Sequence, residues 1–166
     1  MIRVDIETII MAGGPLPSVI VLRERSAGGD DRSPLRALSI QTGAFEAAAI
    51  GRGIERVEEP RPITHDLMVD SLAKLGCRVE RVEITRVDAP VFFASLILLD
   101  GDGKEVCVDA RPSDALSVAV RTNAPIFVED DVMNRAGSTS LASNETSEEE
   151  LERFDEFVQH LSPDDF

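Results

Sequence analysis

Four polar side chains that could take part in catalysis stand within six residues of one another. They are Asp109, Arg111, Ser113 and Asp114, at the predicted junction of a strand and a helix. Pro112 suits the first position of that helix, because its missing N–H costs nothing there and its φ is already helical. Two carboxylates and an arginine at such a junction make a candidate site, and they also suit a structural corner held by an ion pair.

Two further predicted helices begin beside charged side chains. Glu46 lies in the first turn of one, and His65 and Asp66 open the other. Arg61 lies shortly before the helix that His65 and Asp66 open, as Arg111 lies directly before the helix that Pro112 begins. Each arginine is followed by proline. Acids at helix N-termini are favoured by the helix dipole, by roughly 0.3–1 kcal/mol, so each acid alone has a structural explanation.

If the three helix starts converge in space, their carboxylates could hold one or two hard divalent cations such as Mg²⁺ or Mn²⁺. The predicted metal ligands are Glu46, Asp66, Asp109 and Asp114. A metal-bound water is acidic enough to attack a phosphodiester. Spacing along the chain is equally compatible with salt bridges that fix the helix ends.

The other roles concern the substrate and proton transfer. Arg61 and Arg111 would each hold a phosphate through parallel N–H donors, with Ser113 beside them. His65 would act as general acid or base near neutral pH. The predicted catalytic residues are His65, Asp66 and Asp114. The chain has no Gly-x-x-x-x-Gly-Lys-Ser/Thr phosphate loop and no Gly-x-Ser-x-Gly nucleophile turn.

Hydrophobic periodicity predicts an α+β fold, a single domain with a mixed, largely antiparallel sheet packed by helices. Residues 2–11 alternate apolar and polar side chains, which predicts a half-buried strand with Ile10 on its buried face. Further strands are predicted over residues 19–22, 35–40, 78–87, 91–99, 105–110 and 126–128, and helices start near residues 44, 64, 112 and 130.

Several expectations concern single side chains. Thr64 is predicted as the N-cap of its helix, and Leu75 lies on the apolar stripe of the same helix. Cys77 and Cys107 stand alone in the sequence, with no Cys-x-x-Cys pair. They are predicted as small, buried apolar side chains.

The charge of the chain is unevenly distributed. Nine acids and one base in residues 138–166 account for −8 of the net charge of −14. The remainder is mildly acidic too, which excludes a passive nucleic-acid binder with a basic surface but leaves contact through metal ions or a local basic patch. No apolar run approaches the roughly 20 residues of a membrane span, and the N-terminus is unlike a signal peptide, so we predict a cytoplasmic protein.

Residues 138–166 are predicted as an acidic segment separate from the domain of residues 1–137. Polar residues fill most of positions 138–147, which is typical of a flexible linker, and residues 148–161 can form a short amphipathic helix. That helix would dock on the body of its own chain or on a dimer mate, or bind a protein partner.

Three segments of the chain resemble the bifunctional nuclease domain family. They are Gly43-Ala-Phe-Glu-Ala-Ala-Ala-Ile50, Arg61-Pro-Ile-Thr-His-Asp-Leu67, and Asp109-Ala-Arg-Pro-Ser-Asp-Ala115 followed by Ala124-Pro-Ile-Phe-Val128. They occur in the order found in that family, and the resemblance spans residues 2–137. It implies a single α+β domain, often a homodimer, that cleaves both DNA and RNA.

The sequence therefore predicts a divalent-metal-assisted nuclease. The alternative is a non-enzymatic regulatory or scaffold domain, in which the same polar residues form salt bridges. Removing one partner of such a buried pair would cost about 3–5 kcal/mol. A third possibility is a small-ligand-binding domain in which Arg61 and Arg111 hold an anionic metabolite.

Overall fold

The computed structural model describes residues 1–13, 16–26, 34–57 and 60–139. Within these ranges the chain forms four helices and an eight-stranded sheet. In chain order the elements are β1 (Ile2–Ile10), β2 (Ser18–Glu24), β3 (Ala37–Thr42), α1 (Ala44–Glu55), α2 (Thr64–Lys74), β4 (Arg78–Asp88), β5 (Val91–Leu99), β6 (Glu105–Ala110), α3 (Pro112–Thr122), β7 (Ile126–Val128), α4 (Asp130–Ala136) and β8 (Gly137–Ser138). Most of the predicted acidic linker, and all of the predicted terminal helix, lie outside the described residues.

The sheet has the strand order β6-β5-β4-β7-β1-β2-β3-β8. Its neighbouring strands run antiparallel, except for β4 and β7, which are parallel. The predicted α+β class with a mixed, largely antiparallel sheet is therefore confirmed. Helix α3 carries the chain from β6, at one edge of the sheet, back to β7 in its middle.

Helix α3 is the element on which the neighbouring helices are placed. It packs on β4 and β5, and both α1 and α2 pack on it. Its side chains Ala115, Leu116 and Val118 are fully buried in the same core as the strands. Burying an apolar side chain of the size of Leu116 contributes about 1.5–3 kcal/mol, so the position of α3 is firmly fixed. The starts of α1, α2 and α3 are positioned by this packing.

Strand β1 departs from its predicted alternation at one point. Its pairing with β2 shifts register between Ile6 and Thr8, which places one extra residue in β1. Beyond the shift the two faces exchange, so that Ile9 is half-buried and Ile10 is exposed. The prediction that Ile10 faces the core was wrong, because a strict period of two assumes a strand without a bulge.

Helix α2 is less deeply packed than its apolar pattern predicted. It begins at Thr64 itself, and Ile63 occupies the capping position, where its N–H donates to the Asp66 carboxylate. Leu75 lies just after the helix and is 76% exposed. Thr64 is therefore not the N-cap, and Leu75 is not part of the buried stripe.

The two cysteines are not buried as predicted. Cys77 is half-buried and Cys107 is exposed. Cys107 lies on β6, which has a neighbour on one side only within the described sheet, and Val106 and Val108 of this strand are exposed as well. The position of a strand at the sheet edge depends on strand order, which the local sequence does not reveal.

Candidate active site

The start of α3 carries the centre of the candidate site. Arg111 precedes the helix with an extended backbone, and Pro112 is the first helical residue, as predicted. The Nε of Arg111 donates to Oδ2 of Asp114 over 2.7 Å, and Nη2 donates to Oδ1 over 3.2 Å. Two parallel bonds of this kind fix the plane of the guanidinium against the carboxylate.

Glu46, in the first turn of α1, reaches the same guanidinium. The Nη1 of Arg111 donates to Oε1 of Glu46 over 3.3 Å. The Glu46 carboxylate folds back over Gly43, where an added Cβ would lie only 2.3 Å from Oε2. A larger residue at position 43 would therefore displace this carboxylate from its present place.

His65, at the start of α2, completes the group. Its Nε2 lies 3.2 Å from Oδ1 of Asp114, and its side chain is 16% exposed. An ionised carboxylate can only accept a hydrogen bond, so the proton of a neutral His65 lies on Nε2. The other ring nitrogen, Nδ1, is then left to accept a proton from elsewhere. The starts of α1, α2 and α3 thus converge on Arg111 and Asp114.

Electrostatics favour an ionised Asp114. The hydrogen bond from Arg111 is the largest influence and lowers the pKa of Asp114 below its ordinary value; burial opposes it, and the bond from His65 adds to it. The same contact raises the pKa of Arg111, so the guanidinium keeps its charge. Both groups are charged across the physiological range.

The lowered pKa of Asp114 predicts a loss of stability in acid. As pH falls, the Asp114 carboxylate takes up a proton at a higher pH in the unfolded chain than in the folded chain. The ionised carboxylate therefore stabilises the fold above its unfolded pKa of about 3.9. This contribution disappears as pH falls through the lower pKa of the folded chain. We expect the difference in free energy of unfolding between wild type and Asp114→Asn to shrink as pH falls from about 5 to below about 4. Urea unfolding at each pH measures it, and a difference that grows over this range would contradict this sign.

Asp66 lies in a different contact. It pairs with Nε of Arg121, near the end of α3, whose side chain is 9% exposed. The Nη1 of Arg121 also donates to the backbone oxygens of Ala49, over 3.0 Å, and of Ser117, over 2.9 Å. Gly53 of α1 makes this close approach possible, because a Cβ there would lie 2.7 Å from Nη1. The Asp66–Arg121 pair therefore joins all three helices.

Three further residues predicted for the site are placed around its edge. Asp109 and Arg61 are exposed, and neither makes a side-chain hydrogen bond or ion pair with another described residue. Ser113 is buried and lines a cavity beside Arg111. Among the described residues, the side chains that hydrogen-bond to the carboxylate of Asp114 are those of His65 and Arg111.

The four acids predicted as metal ligands are not gathered at one point. Asp66 is paired with Arg121, and Glu46 and Asp114 flank the guanidinium of Arg111. Among the residues that the structure describes, no three or more His, Cys, Asp or Glu side chains are arranged to hold a metal ion. The side chains in this arrangement therefore do not fit a resident metal.

A cavity of about 360 Å³ opens beside Arg111. Polar side chains from the starts of α1 and α3 line one part of it, and the β4–β5 hairpin lines another with apolar atoms. Its lining includes Glu46, Arg111, Ser113, Pro90, Val91 and Phe92. A charged group and an apolar wall in one cavity can receive a ligand that has both an anionic and an apolar part.

Two features of the site were not predicted from the sequence. Arg121 follows Asp114 by seven residues, which places the two side chains on one face of a helix. This spacing could have indicated that Arg121, like Asp114, faces a neighbouring helix. The apolar wall of Pro90 to Phe92 had none, because it depends on where the β4–β5 hairpin lies relative to α3. The site therefore combines a local pattern with contacts set by the fold.

Comparisons with known proteins show which family this chain belongs to. Residues 29–140 match the Bifunctional nuclease domain family. An uncharacterized protein of Mycobacterium tuberculosis is 41% identical over 154 residues, which cover 89% of this chain and 87% of that protein. Bifunctional nuclease 2 of Arabidopsis thaliana is 33% identical over 123 residues, and Bifunctional nuclease 1 of the same plant is 29% identical over 116 residues.

The plant proteins are much longer than the region of similarity. The matches cover 70% and 69% of this chain, but 36% and 34% of the two Arabidopsis proteins. The family match contains Glu46, His65, Arg111 and Asp114, the four residues that meet in the candidate site. The chain belongs to the bifunctional nuclease domain family.

Proposed function

We propose that this chain hydrolyses phosphodiester bonds of DNA, RNA or both. The observation that carries the proposal is the contact of His65 and Arg111 with one carboxylate, Asp114, at the meeting point of three helix starts. A proton-transferring group beside a phosphate-binding group is the minimum that such a hydrolysis needs. Membership of a family that contains proteins named bifunctional nucleases supports the same chemistry.

Arg111 would hold the phosphate. A guanidinium has five N–H donors, and three of those of Arg111 are used by Asp114 and Glu46. Its side chain is 65% exposed, so the remaining donors can reach a phosphate oxygen. The two carboxylates hold the guanidinium in one orientation, so little of its rotational freedom remains to be lost when the phosphate binds.

His65 would move the proton. In the hydrolysis the bond from phosphorus to the leaving oxygen breaks, and that oxygen takes up a proton from solvent. A water oxygen bonds to phosphorus, and the water loses one proton, which is later released to solvent. Nδ1 of His65 can take that proton, because Nε2 is directed to Asp114. Asp114 then stabilises the protonated ring and fixes its orientation. Asp114 is a positioning group in this scheme, and Glu46 has the same role toward Arg111.

The requirement for a divalent metal stays a prediction. A cation would supply electrostatic stabilisation of the phosphate and would offset the net charge of −14, which opposes the approach of a polyanion. Glu46 and Asp114 are the nearest carboxylates that could contact it, yet both are engaged with Arg111. No step above depends on the metal.

The test is cleavage of labelled single-stranded DNA and RNA by the full chain. Parallel reactions contain Mg²⁺, Mn²⁺, Ca²⁺ or a chelator. We expect cleavage in at least one of these reactions. If a metal assists the hydrolysis, chelator should remove about 90% of the cleavage or more, since such a metal contributes several kcal/mol to the transition state. Full activity in chelator would refute the metal requirement but not the nuclease. The absence of cleavage in all reactions would refute the nuclease.

A non-enzymatic regulatory or scaffold domain is the second candidate. The Asp66–Arg121 pair favours it, because that pair already satisfies the prediction of a structural salt bridge at a helix start. If Arg111 and Asp114 had only the same structural purpose, their contacts would stabilise the fold and no substrate would be turned over. The cleavage test separates the two candidates.

Two other expectations remain proposals. A homodimer, implied by the family resemblance, would be supported if light scattering gave twice the mass of the chain, and the exposed apolar side chains of β6 offer a surface for it. A cytoplasmic location also stays a prediction. Among the described residues, no helix is long and apolar enough to cross a membrane.

A further inference from the structure

Phe45 is the most exposed large apolar side chain in the described part of the chain. It lies in the first turn of α1 and is 91% exposed. Aromatic side chains account for only 4% of the sequence, and burying a ring is normally among the largest single contributions to folding. A ring left in solvent gains nothing for the fold, so it is available for a ligand.

The position of Phe45 links it to the candidate site. The next residue, Glu46, contacts Arg111 over 3.3 Å, and both Gly43 and Glu46 line the cavity beside Arg111. The ring is therefore carried by the same helical turn that supplies the cavity wall. Since α1 is fixed to α3 by packing, the distance from Phe45 to Arg111 is set by the fold and not by a loop.

The cavity beside Arg111 also has an apolar wall. Val91 is 53% exposed, and it lines the cavity together with Phe92 and Pro90 of the β4–β5 hairpin. A phosphate at Arg111 would thus lie near the apolar wall of the hairpin and near the helical turn that carries Phe45. In a nucleic acid strand, every phosphodiester joins two nucleotides that each carry a base.

We propose that Phe45 stacks on an unpaired nucleobase of the strand whose phosphate is held by Arg111. This inference rests on the proposed nuclease function and names its substrate class as single-stranded nucleic acid. A base in a duplex has both faces covered by its neighbours, so only an unpaired base can offer a face to the ring. Stacking on an aromatic ring tolerates any base, which agrees with action on both DNA and RNA.

The test compares kcat/KM for one single-stranded oligonucleotide and its blunt duplex. The variants are Phe45→Ala, Phe45→Leu and Phe45→Trp. Leu75→Ala is the matched control, because Leu75 is 76% exposed and lies at the far end of α2 from His65. We expect Phe45→Ala and Phe45→Leu to lose about tenfold in kcat/KM on the single strand, mainly through a higher KM. Phe45→Trp and Leu75→Ala should stay within about twofold of wild type on that strand, and all four variants should match wild type on the duplex.

The outcomes separate this inference from the function on which it rests. If wild type cleaves and Phe45→Ala cleaves the single strand equally well, the stacking role is refuted and the nuclease stands. Equal losses of kcat/KM on the single strand and on the duplex would also refute the stacking role. A lower molar mass of Phe45→Ala than of wild type in light scattering would refute it too, since Phe45 would then be a subunit contact. If wild type does not cleave, both the nuclease and the stacking role are refuted.

Discussion

Replacing His65 with alanine is expected to lower kcat by about 10²–10⁴-fold while the protein stays folded, which is the usual contribution of a positioned general acid or base. The expectation follows from the placement of His65, whose Nε2 is held by Asp114 and whose Nδ1 is left to exchange a proton. KM should change by less than about threefold, because phosphate binding is assigned to Arg111. Steady-state kinetics on a single-stranded oligonucleotide measure both constants.

The control for this variant is Ser71→Ala. Ser71 lies on the same helix, is exposed, and donates to the backbone oxygen of Leu67. It should have the kcat of wild type. Added imidazole should restore part of the kcat of His65→Ala, because a small base can enter the space of the missing ring. A kcat within about threefold of wild type for His65→Ala would remove His65 from the mechanism.

Replacing Asp66 with alanine is expected to cost about 3 kcal/mol in free energy of unfolding. The change leaves the guanidinium of Arg121, which is 9% exposed, without its ionic partner. Breaking a buried pair from one side costs about 3–5 kcal/mol. The lower end applies here, because the Asp66 side chain is 35% exposed and two backbone oxygens still accept from Arg121. Urea unfolding gives the value.

A double-mutant cycle shows whether this cost comes from the pair. Arg121→Met fills the space without the charge, so the double variant with Asp66→Ala should be more stable than Asp66→Ala alone. Asp70→Ala, one turn later on the same helix, is the control. Like Asp66, Asp70 lines a surface cavity between α1, α2 and α3, and its replacement should cost less than about 0.5 kcal/mol. A cost below about 1 kcal/mol for Asp66→Ala would show that the contact is not structural, and Asp66 would again be a candidate catalytic acid.

The sequence was most informative where the signal was local. Pro112 and Asn123 mark the two ends of α3, and the helix runs between them with Asn123 in a left-handed conformation. The order of strands and helices followed from periodicity in the same way. Each of these predictions depends on a few neighbouring residues and on backbone preferences that act within one turn.

The site could be predicted only in part, because its pairs are formed across helices. Asp66 and Asp114 look alike in the sequence, since each lies in a first helical turn shortly after an Arg-Pro pair. The packing of α2 on α3 directs Asp66 to Arg121, and it leaves Asp114 to His65 and Arg111. No local rule distinguishes these two outcomes.

Long-range geometry also explains the remaining differences. The exposure of Cys107 depends on the place of β6 at the sheet edge, and the exposure of Ile10 depends on the register shift with β2. The predicted metal set grouped four acids by their position at strand and helix ends. Asp109 lies at the surface and Asp66 in an ion pair. The direction of each side chain depends on how its strand or helix packs, which spacing along the sequence does not reveal.

The most direct test of the nuclease site compares wild type with Asp114→Asn on labelled single-stranded DNA and RNA. Asp102→Asn, an identical change in the exposed hairpin turn between β5 and β6, is purified alongside as the control. We expect wild type and Asp102→Asn to cleave at the same rate. Asp114→Asn should be slower by about 10²-fold or more while remaining folded by its urea unfolding curve. Cleavage by Asp114→Asn at the wild-type rate would contradict a role for Asp114 in catalysis and place any nuclease activity elsewhere.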